Sequence, residues 1–276
     1  MYLCISVLSL YREMSTKVIQ KGAIIFTILL TFFVVPSNLL TIASGYYPEE
    51  SENLAIPDNS DSLRFEKRLH QLYNEISGIA NLDFKVFRYS VVGFFVLKNK
   101  GLIKNDSLIT IIDYEQPSDA KRLFVINLSS KKLVYNTLVA HGKNTGEVYA
   151  TNFSNRPKSN KSCFGFFVTG ETYNGKHEFS LKLDGVDTLY NHKARQRGIV
   201  FHGAEYVSED YIQWNGRLGR SYGCPAVPQS VNQNLINTIR GGSCLFMYYE
   251  DPDYLSETNY LNLEIAIREF IDSQLI

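Results

Sequence analysis

Residues 216–226 of this chain read Gly-Arg-Leu-Gly-Arg-Ser-Tyr-Gly-Cys-Pro-Ala, and residues 201–204 read Phe-His-Gly-Ala. A thiol such as that of Cys224 becomes a useful nucleophile when a nearby base or positive charge holds it as a thiolate. The glycine before it lets the backbone bend tightly, so that neighbouring N–H groups can point at a developing oxyanion. His202 ends an apolar run and supplies a candidate base. The pattern predicts acyl transfer through a thioester.

The arrangement resembles the L,D-transpeptidase (YkuD-type) catalytic domain of bacterial cell-wall enzymes, whose signature places a histidine before a Ser/Thr-His-Gly-Cys motif. Here 17 residues, 204–220, separate Gly203 from Ser221. The chain is most similar to the divergent murein L,D-transpeptidase branch, in which Gly-Arg-x-Gly-Arg-Ser-x-Gly-Cys-Pro-Ala recurs. The resemblance runs from about Lys121 to Tyr249. It implies a curved mixed sheet with the cysteine loop on one face.

The resemblance also implies roles for individual residues. Cys224 is the expected nucleophile and His202 its base; the structural alternatives are a buried thiol and a histidine that ends a strand. The backbone amides of Tyr222, Gly223 and Cys224 are the expected oxyanion hole, which a Gly-Cys turn also favours. We expect the carbonyl of Gly203 to fix the tautomer of His202.

Two departures from the family pattern concern the substrate. Tyr222 stands where most members of the wider family have a second histidine, and Pro225-Ala226 replaces a hydrophobic residue followed by Asn or Arg. Because that arginine helps to hold the substrate in the wider family, we consider Arg217 and Arg220 as guanidinium donors for a substrate carboxylate. Solvated loop arginines are the alternative.

Three further residues are candidate substrate-binding groups. His141 ends a predicted strand and begins a loop, and His177 follows the stretch 173–176; the branch repeats both patterns. Ser221 is expected to hydrogen-bond within the cysteine loop, or to be a plain loop serine. Neither Cys-x-x-Cys nor a His-rich spacing occurs, so we expect no metal and no other cofactor.

The N-terminal sequence predicts export. Lys17 and Lys21 precede an uncharged apolar run, 23–35, and small residues follow at 43–45. This is the order of regions in a signal peptide. The alternative is an uncleaved membrane anchor, because 23–42 has about the 20 residues that span a bilayer. Either one places the remainder in the periplasm or cell envelope.

Composition and periodicity divide the chain into five segments. They are a signal peptide or membrane anchor (1–45), a linker (46–61), a mostly helical accessory segment (62–115), the catalytic domain (116–250) and a C-terminal extension (251–276). Short strands between polar loops favour a mainly β, α+β fold with a curved sandwich or barrel form. Strands are predicted at 108–114, 122–128, 133–139, 165–169, 180–183, 198–201 and 243–249. Helices are predicted at 62–80, 231–240 and 264–270.

The cysteines and the charge narrow the class of protein. An odd number of cysteines, Cys163, Cys224 and Cys244, lies beyond the N-terminal segment. We expect all three to be unpaired; a Cys163–Cys244 bond would also leave Cys224 free. The chain has 28 basic and 28 acidic residues, and this zero net charge argues against a nucleic-acid binder.

The expected partners are peptidoglycan stem peptides, as donor and as acceptor, with membrane association if the N-terminal segment is retained. The resemblance implies ping-pong L,D-transpeptidation through a Cys224 thioester, which forms 3→3 crosslinks. Release of the acyl group by water would make the enzyme an L,D-carboxypeptidase instead. The missing second histidine and arginine leave open a wall-binding protein whose site has decayed. A cysteine peptidase of another fold is disfavoured, because His202 precedes Cys224.

Overall fold

The fold is that of a computed structural model, which describes residues 60–79 and 81–273. The predicted signal peptide or anchor, 1–45, and most of the predicted linker lie outside the described residues. Within the two described ranges, no helix combines the length and apolar character that crossing a bilayer requires.

Eight strands of the described chain form one mixed sheet. They are β1 (Leu108–Asp113), β2 (Leu123–Asn127), β3 (Lys132–Thr137), β4 (Gly165–Gly175), β5 (Glu178–Gly185), β6 (Val200–Ala204), β7 (Ala226–Pro228) and β8 (Cys244–Tyr248). Their order is β3-β2-β1-β8-β4-β5-β6-β7. Neighbours are antiparallel except β1 with β8 and β6 with β7. Strands β1 and β8 are buried along their whole length, as their near-continuous apolar sequences require.

The two edges of the sheet meet beyond the end of β3. Ala140 forms an antiparallel bridge with Ala226 of β7, and its N–H donates to the Ala226 carbonyl at 2.8 Å. A second bridge joins Gly142 to Ser221. These contacts make the sheet a nearly closed barrel.

Six helices lie within the described ranges. They are α1 (Ser60–Glu75), α2 (Phe84–Asn99), α3 (Glu209–Asn215), α4 (Gln229–Ile239), α5 (Pro252–Glu257) and α6 (Leu263–Ser273). Helix α2 is buried over most of its length because it packs against β1, β8 and α6. A side chain at Gly93 of α2 would collide with the ring of Phe166 in β4, so glycine permits this close packing. Helices α1 and α2 share one hydrophobic core with the sheet.

The expected α+β fold with a curved β domain and N-terminal helices is confirmed. All seven predicted strands and the three predicted helices are present, with ends displaced by a few residues. The stretch 84–102, in which only the early part suggested a helix, is helical through Asn99. Strand β7 and helices α3 and α5 were not predicted, because elements of 3, 7 and 6 residues are too short to show a period.

Candidate active site

Strand β6 buries His202 and holds one of its ring nitrogens. The residue is 1% exposed, and its Nδ1 lies 2.8 Å from the carbonyl oxygen of Gly203. Because a carbonyl only accepts, Nδ1 carries the proton and Nε2 keeps its lone pair. Within residues 60–79 and 81–273, no protein group forms a hydrogen bond with Nε2. His202 therefore offers one basic nitrogen.

The surroundings of His202 keep its ring neutral. Burial lowers the pKa of His202 because the imidazolium is poorly solvated, and the nearby His177 lowers it further; together they outweigh the hydrogen bond to Gly203, which raises it. The ring of His177 stacks on that of His202, with centroids 4.2 Å apart and planes 20° apart. His177 is exposed to solvent, and its ring covers one face of the buried His202 ring.

Helix α4 fixes the backbone that holds His202. A Cβ atom at Gly203 would lie 2.9 Å from the Cβ atom of Asn232 on α4, which is closer than two nonbonded carbons approach. The amide of Asn232 donates to the carbonyl of Phe179 in β5 at 2.8 Å. Glycine at this position therefore lets α4 pack directly on β6.

The loop before β7 brings Cys224 next to the same strand. The N–H of His202 lies 3.4 Å from the carbonyl of Pro225, the residue after the cysteine. The sulfur of Cys224 lies 3.4 Å from the donating N–H nitrogen of Val200 and 3.6 Å from the carbonyl oxygen of Gly198. The cysteine loop is thus held against β6, the strand that carries His202.

The thiol of Cys224 is half-buried, and this favours its protonated form. Burial raises its pKa above the ordinary value, although the Val200 N–H and the charge of Arg197 act in the opposite direction. Cys224 therefore needs a proton acceptor before it can act as a nucleophile near neutral pH.

The turn before Cys224 is stabilised by serine hydroxyls. Gly223 has φ +127°, and a Cβ atom there would lie 2.7 Å from the carbonyl oxygen of Lys161. The hydroxyl of Ser221 accepts from the Gly223 N–H at 3.0 Å and donates to the Cys224 carbonyl at 2.7 Å. The hydroxyl of Ser162 donates to the Gly223 carbonyl at 3.1 Å. Ser221 thus shapes the loop rather than facing a ligand.

These contacts determine which amides are available for an oxyanion. The N–H of Gly223 already donates to Ser221. In the part of the chain that the structure describes, no acceptor takes the N–H groups of Tyr222 and Cys224. Of the three amides predicted for the oxyanion hole, two therefore have no acceptor within the described residues.

A family model for the L,D-transpeptidase catalytic domain matches residues 79–248. The chain belongs to this family. A search among curated proteins finds no match.

Several solved structures are similar to parts of this family member. An L,D-transpeptidase from Mycobacterium smegmatis is 10% identical, and the match covers 52% of this chain and 59% of that one, with TM-score 0.33. The helical cell shape determining protein Pgp2 from Campylobacter jejuni is 13% identical over 65% and 62% of the two chains, with TM-score 0.34. An L,D-transpeptidase from Xylanimonas cellulosilytica is 14% identical over 72% and 100%, with TM-score 0.30. The chain thus matches less than two thirds of the length of the first two.

In this L,D-transpeptidase family member, one carboxylate pairs with both of the arginines considered as substrate-binding groups. Arg217 Nε lies 2.9 Å from one oxygen of Glu147, and Arg220 Nη1 lies 2.6 Å from the other. Arg217 also donates to the Leu218 carbonyl, at 2.7 Å. A substrate carboxylate would have to displace Glu147 from these guanidinium groups.

Tyr222 projects from the cysteine loop towards solvent. Its side chain is 67% exposed, and the ammonium of Lys143 lies 4.6 Å from the centre of its ring. The backbone N–H of Lys143 donates to the Ser221 carbonyl at 2.8 Å, which ties this residue to the loop. Lys143 was not among the residues singled out from the sequence, because its proximity to Tyr222 depends on the sheet closing.

The sequence suggested that His141 lines the substrate pocket, and the structure places it elsewhere. It is fully buried; Arg122 donates to its Nδ1 at 2.8 Å, and its Nε2 donates to the Gly146 carbonyl at 3.1 Å. Burial and the Arg122 charge lower the pKa of His141 to about 4. Its own carbonyl accepts the Ser221 N–H at 3.0 Å. His141 therefore supports the cysteine loop from beneath.

All three described cysteines are free, as expected. Cys163 and Cys244 are buried, and burial raises the pKa of Cys163 to about 11 and that of Cys244 further. Cys224 is thus the thiol that reagents can reach. No group of three or more potential metal ligands occurs among the described residues.

Proposed function

We propose that this chain is an exported cysteine L,D-transpeptidase that acts on peptidoglycan stem peptides. Its membership of the L,D-transpeptidase catalytic domain family supports this assignment. The observation that carries the proposal is the placement of both residues at β6: His202 is held by Gly203 with Nε2 unprotonated, and the Cys224 sulfur accepts from the backbone N–H of Val200, two residues before His202.

The first half-reaction makes the thioester. His202 Nε2 takes the proton from Cys224, and the thiolate attacks the carbonyl carbon of the third residue of a stem tetrapeptide. The amides of Tyr222 and Cys224 donate to the oxyanion that forms. The amide bond to the terminal D-alanine then breaks, and its nitrogen receives the proton from His202. An acyl-enzyme remains.

The second half-reaction regenerates the thiol. The side-chain amine of a second stem attacks the thioester carbonyl, the C–S bond breaks, and the proton lost by the amine returns to the sulfur through His202. The product is a 3→3 crosslink. Water in place of the amine would give the carboxypeptidase reaction at the same site.

The first experiment incubates the full chain with purified disaccharide tetrapeptides and follows protein and products by mass spectrometry. The wild type is expected to release D-alanine, to carry a thioester adduct and to form crosslinked dimers. Cys224→Ala should do none of these, whereas the matched variant Cys163→Ala should retain all three. A folded wild type with a reduced thiol and no adduct would contradict the proposal and favour the wall-binding alternative.

Export is a separate part of the proposal, supported by the pattern of residues 1–45. We expect fractionated cells to contain the chain in the envelope. The mass of its N-terminal peptide should show whether the apolar segment has been removed. Recovery of the full chain in the cytosolic fraction would contradict export.

A further inference from the structure

The site as described lacks a positive charge in contact with the nucleophile. Burial favours the neutral thiol of Cys224, and a neutral histidine contributes no charge until it has taken the proton. The thiolate that forms must then be stabilised by its surroundings. The groups next to its sulfur, Val200 N–H and Gly198 carbonyl, are neutral.

Arg197, the residue before Gly198, has a guanidinium whose contacts are all neutral. It donates to the carbonyls of Ser154 and Lys161 at 2.5 Å and to the hydroxyl of Ser159 at 3.1 Å. Its Nε atom is buried and has no partner in the described chain. Its hydrogen-bond acceptors among the described residues are all uncharged, and no carboxylate there forms an ion pair with it.

Arg195, two residues earlier, shows the opposite arrangement. Its guanidinium binds the carboxylates of Glu171 and Asp184, and its side chain is 42% exposed. These partners cancel its charge, and solvent screens the remainder. The two arginines of one turn therefore differ in whether their charge acts on the protein interior.

The guanidinium of Arg197, which has no carboxylate partner among the described residues, is linked to the cysteine turn by hydrogen bonding. The carbonyl oxygen of Lys161 accepts a hydrogen bond from Arg197. The same oxygen would lie 2.7 Å from a Cβ atom placed at Gly223. The carbonyl next to Arg197 in the chain, that of Gly198, lies 3.6 Å from the Cys224 sulfur. Arg197 is thus connected to the cysteine loop through two backbone carbonyls, those of Lys161 and Gly198.

We propose that Arg197 is a positioning residue that stabilises the Cys224 thiolate with a half-buried charge that no carboxylate of the described chain compensates. This inference rests on the proposed function, in which that thiolate attacks the substrate. Arg197 would supply this charge from the loop before β6.

The other titratable groups around the sulfur are neutral near pH 7. Burial raises the pKa of Cys163 to about 11, and burial raises those of Tyr114 and Tyr206 to about 12. His202 is neutral because burial lowers its pKa. Arg197 is therefore the permanent charge in this set.

The test measures the rate at which iodoacetamide alkylates Cys224 as a function of pH, in the full chain, with the site of modification read by mass spectrometry. In Arg197→Gln we expect the midpoint of the rate to rise by about one pH unit and the rate at pH 7 to fall about tenfold. Arg197→Lys should stay near the wild type, and the matched control Arg195→Gln should not move the midpoint. An unchanged midpoint in folded Arg197→Gln would overturn the inference.

A second variant retains Arg197 and neutralises its charge. Ser159→Asp places a carboxylate at the position of a hydroxyl that already accepts from Arg197, and Ser159→Asn is its uncharged control. Ser159→Asp should raise the pH midpoint of alkylation, and Ser159→Asn should not. Equal midpoints in these two variants would contradict the inference even if Arg197→Gln does not fold. Alkylation requires no stem peptide. Failure of the thioester assay on wild type would therefore reject the proposed function without altering this result.

Discussion

The regions around His141 and His202 look alike in the sequence but differ in the structure. Each is followed by glycine and is buried, at 0% and 1% exposure. At His141 both ring nitrogens have partners, Arg122 and the Gly146 carbonyl. At His202 one nitrogen is held, by Gly203, and the other has no partner among the described residues.

The difference shows that burial alone does not separate a structural histidine from a base. The two rings carry their proton on opposite nitrogens, Nε2 in His141 and Nδ1 in His202, because their fixed partners differ in kind. A guanidinium can only donate and a carbonyl can only accept. The ring nitrogen that lacks a partner decides which histidine can take a proton.

The largest effect is expected when the two histidines are replaced in turn. His202→Gln removes the proton acceptor, so the rate of thioester formation should fall by about 1000-fold. His141→Gln keeps a donor and an acceptor in the ring's place and should change this rate by less than about tenfold. The stem-peptide assay with rapid mixing measures both. Equal losses in two folded variants would remove the distinction.

A smaller effect should follow from removing the partner that occupies His141. Arg122 is fully buried and donates to the carbonyls of Val139 and Gln116 as well as to His141. Arg122→Met leaves these acceptors unpaired, and we expect the free energy of unfolding to fall by about 3 kcal/mol. Urea denaturation measures it. Arg220→Met, whose guanidinium is partly exposed, serves as the control and should cost less than about 1 kcal/mol.

The smallest of the three effects is a pH dependence of stability. The pKa of His141 is about 4 in the folded protein and 6.5 ordinarily, so the unfolded chain binds a proton that the native state refuses as the pH falls below 6.5. The free energy of unfolding should therefore fall towards acid, and His141 should account for about 2 kcal/mol at pH 5. His141→Gln should flatten the slope between pH 6.5 and 5. Parallel slopes would show that His141 does not carry the effect.

Local patterns were enough to predict much of the fold and the centre of the candidate site. Apolar runs with β-branched residues predicted the strands, and the short motif around Gly223 and Cys224 predicted where the chemistry would lie. Contacts between distant segments were not predictable. The pairing of Glu147 with Arg217 and Arg220 depends on how the sheet closes, and a sequence does not state that geometry.

Strand β8 joins two half-sheets, β3-β2-β1 and β4-β5-β6-β7, which otherwise meet, among the described residues, through the two bridges beyond β3. It lies between β1 and β4, with Ile109 opposite Cys244 on one side and Val168 opposite Cys244 on the other. During synthesis the ribosome therefore completes Cys224 and both half-sheets before it releases the strand that unites them. A nascent chain that stops before Cys244 exposes two open edges, and those are the surfaces on which strands of separate molecules aggregate. We expect chaperones that delay folding until β8 has emerged to reduce this aggregation.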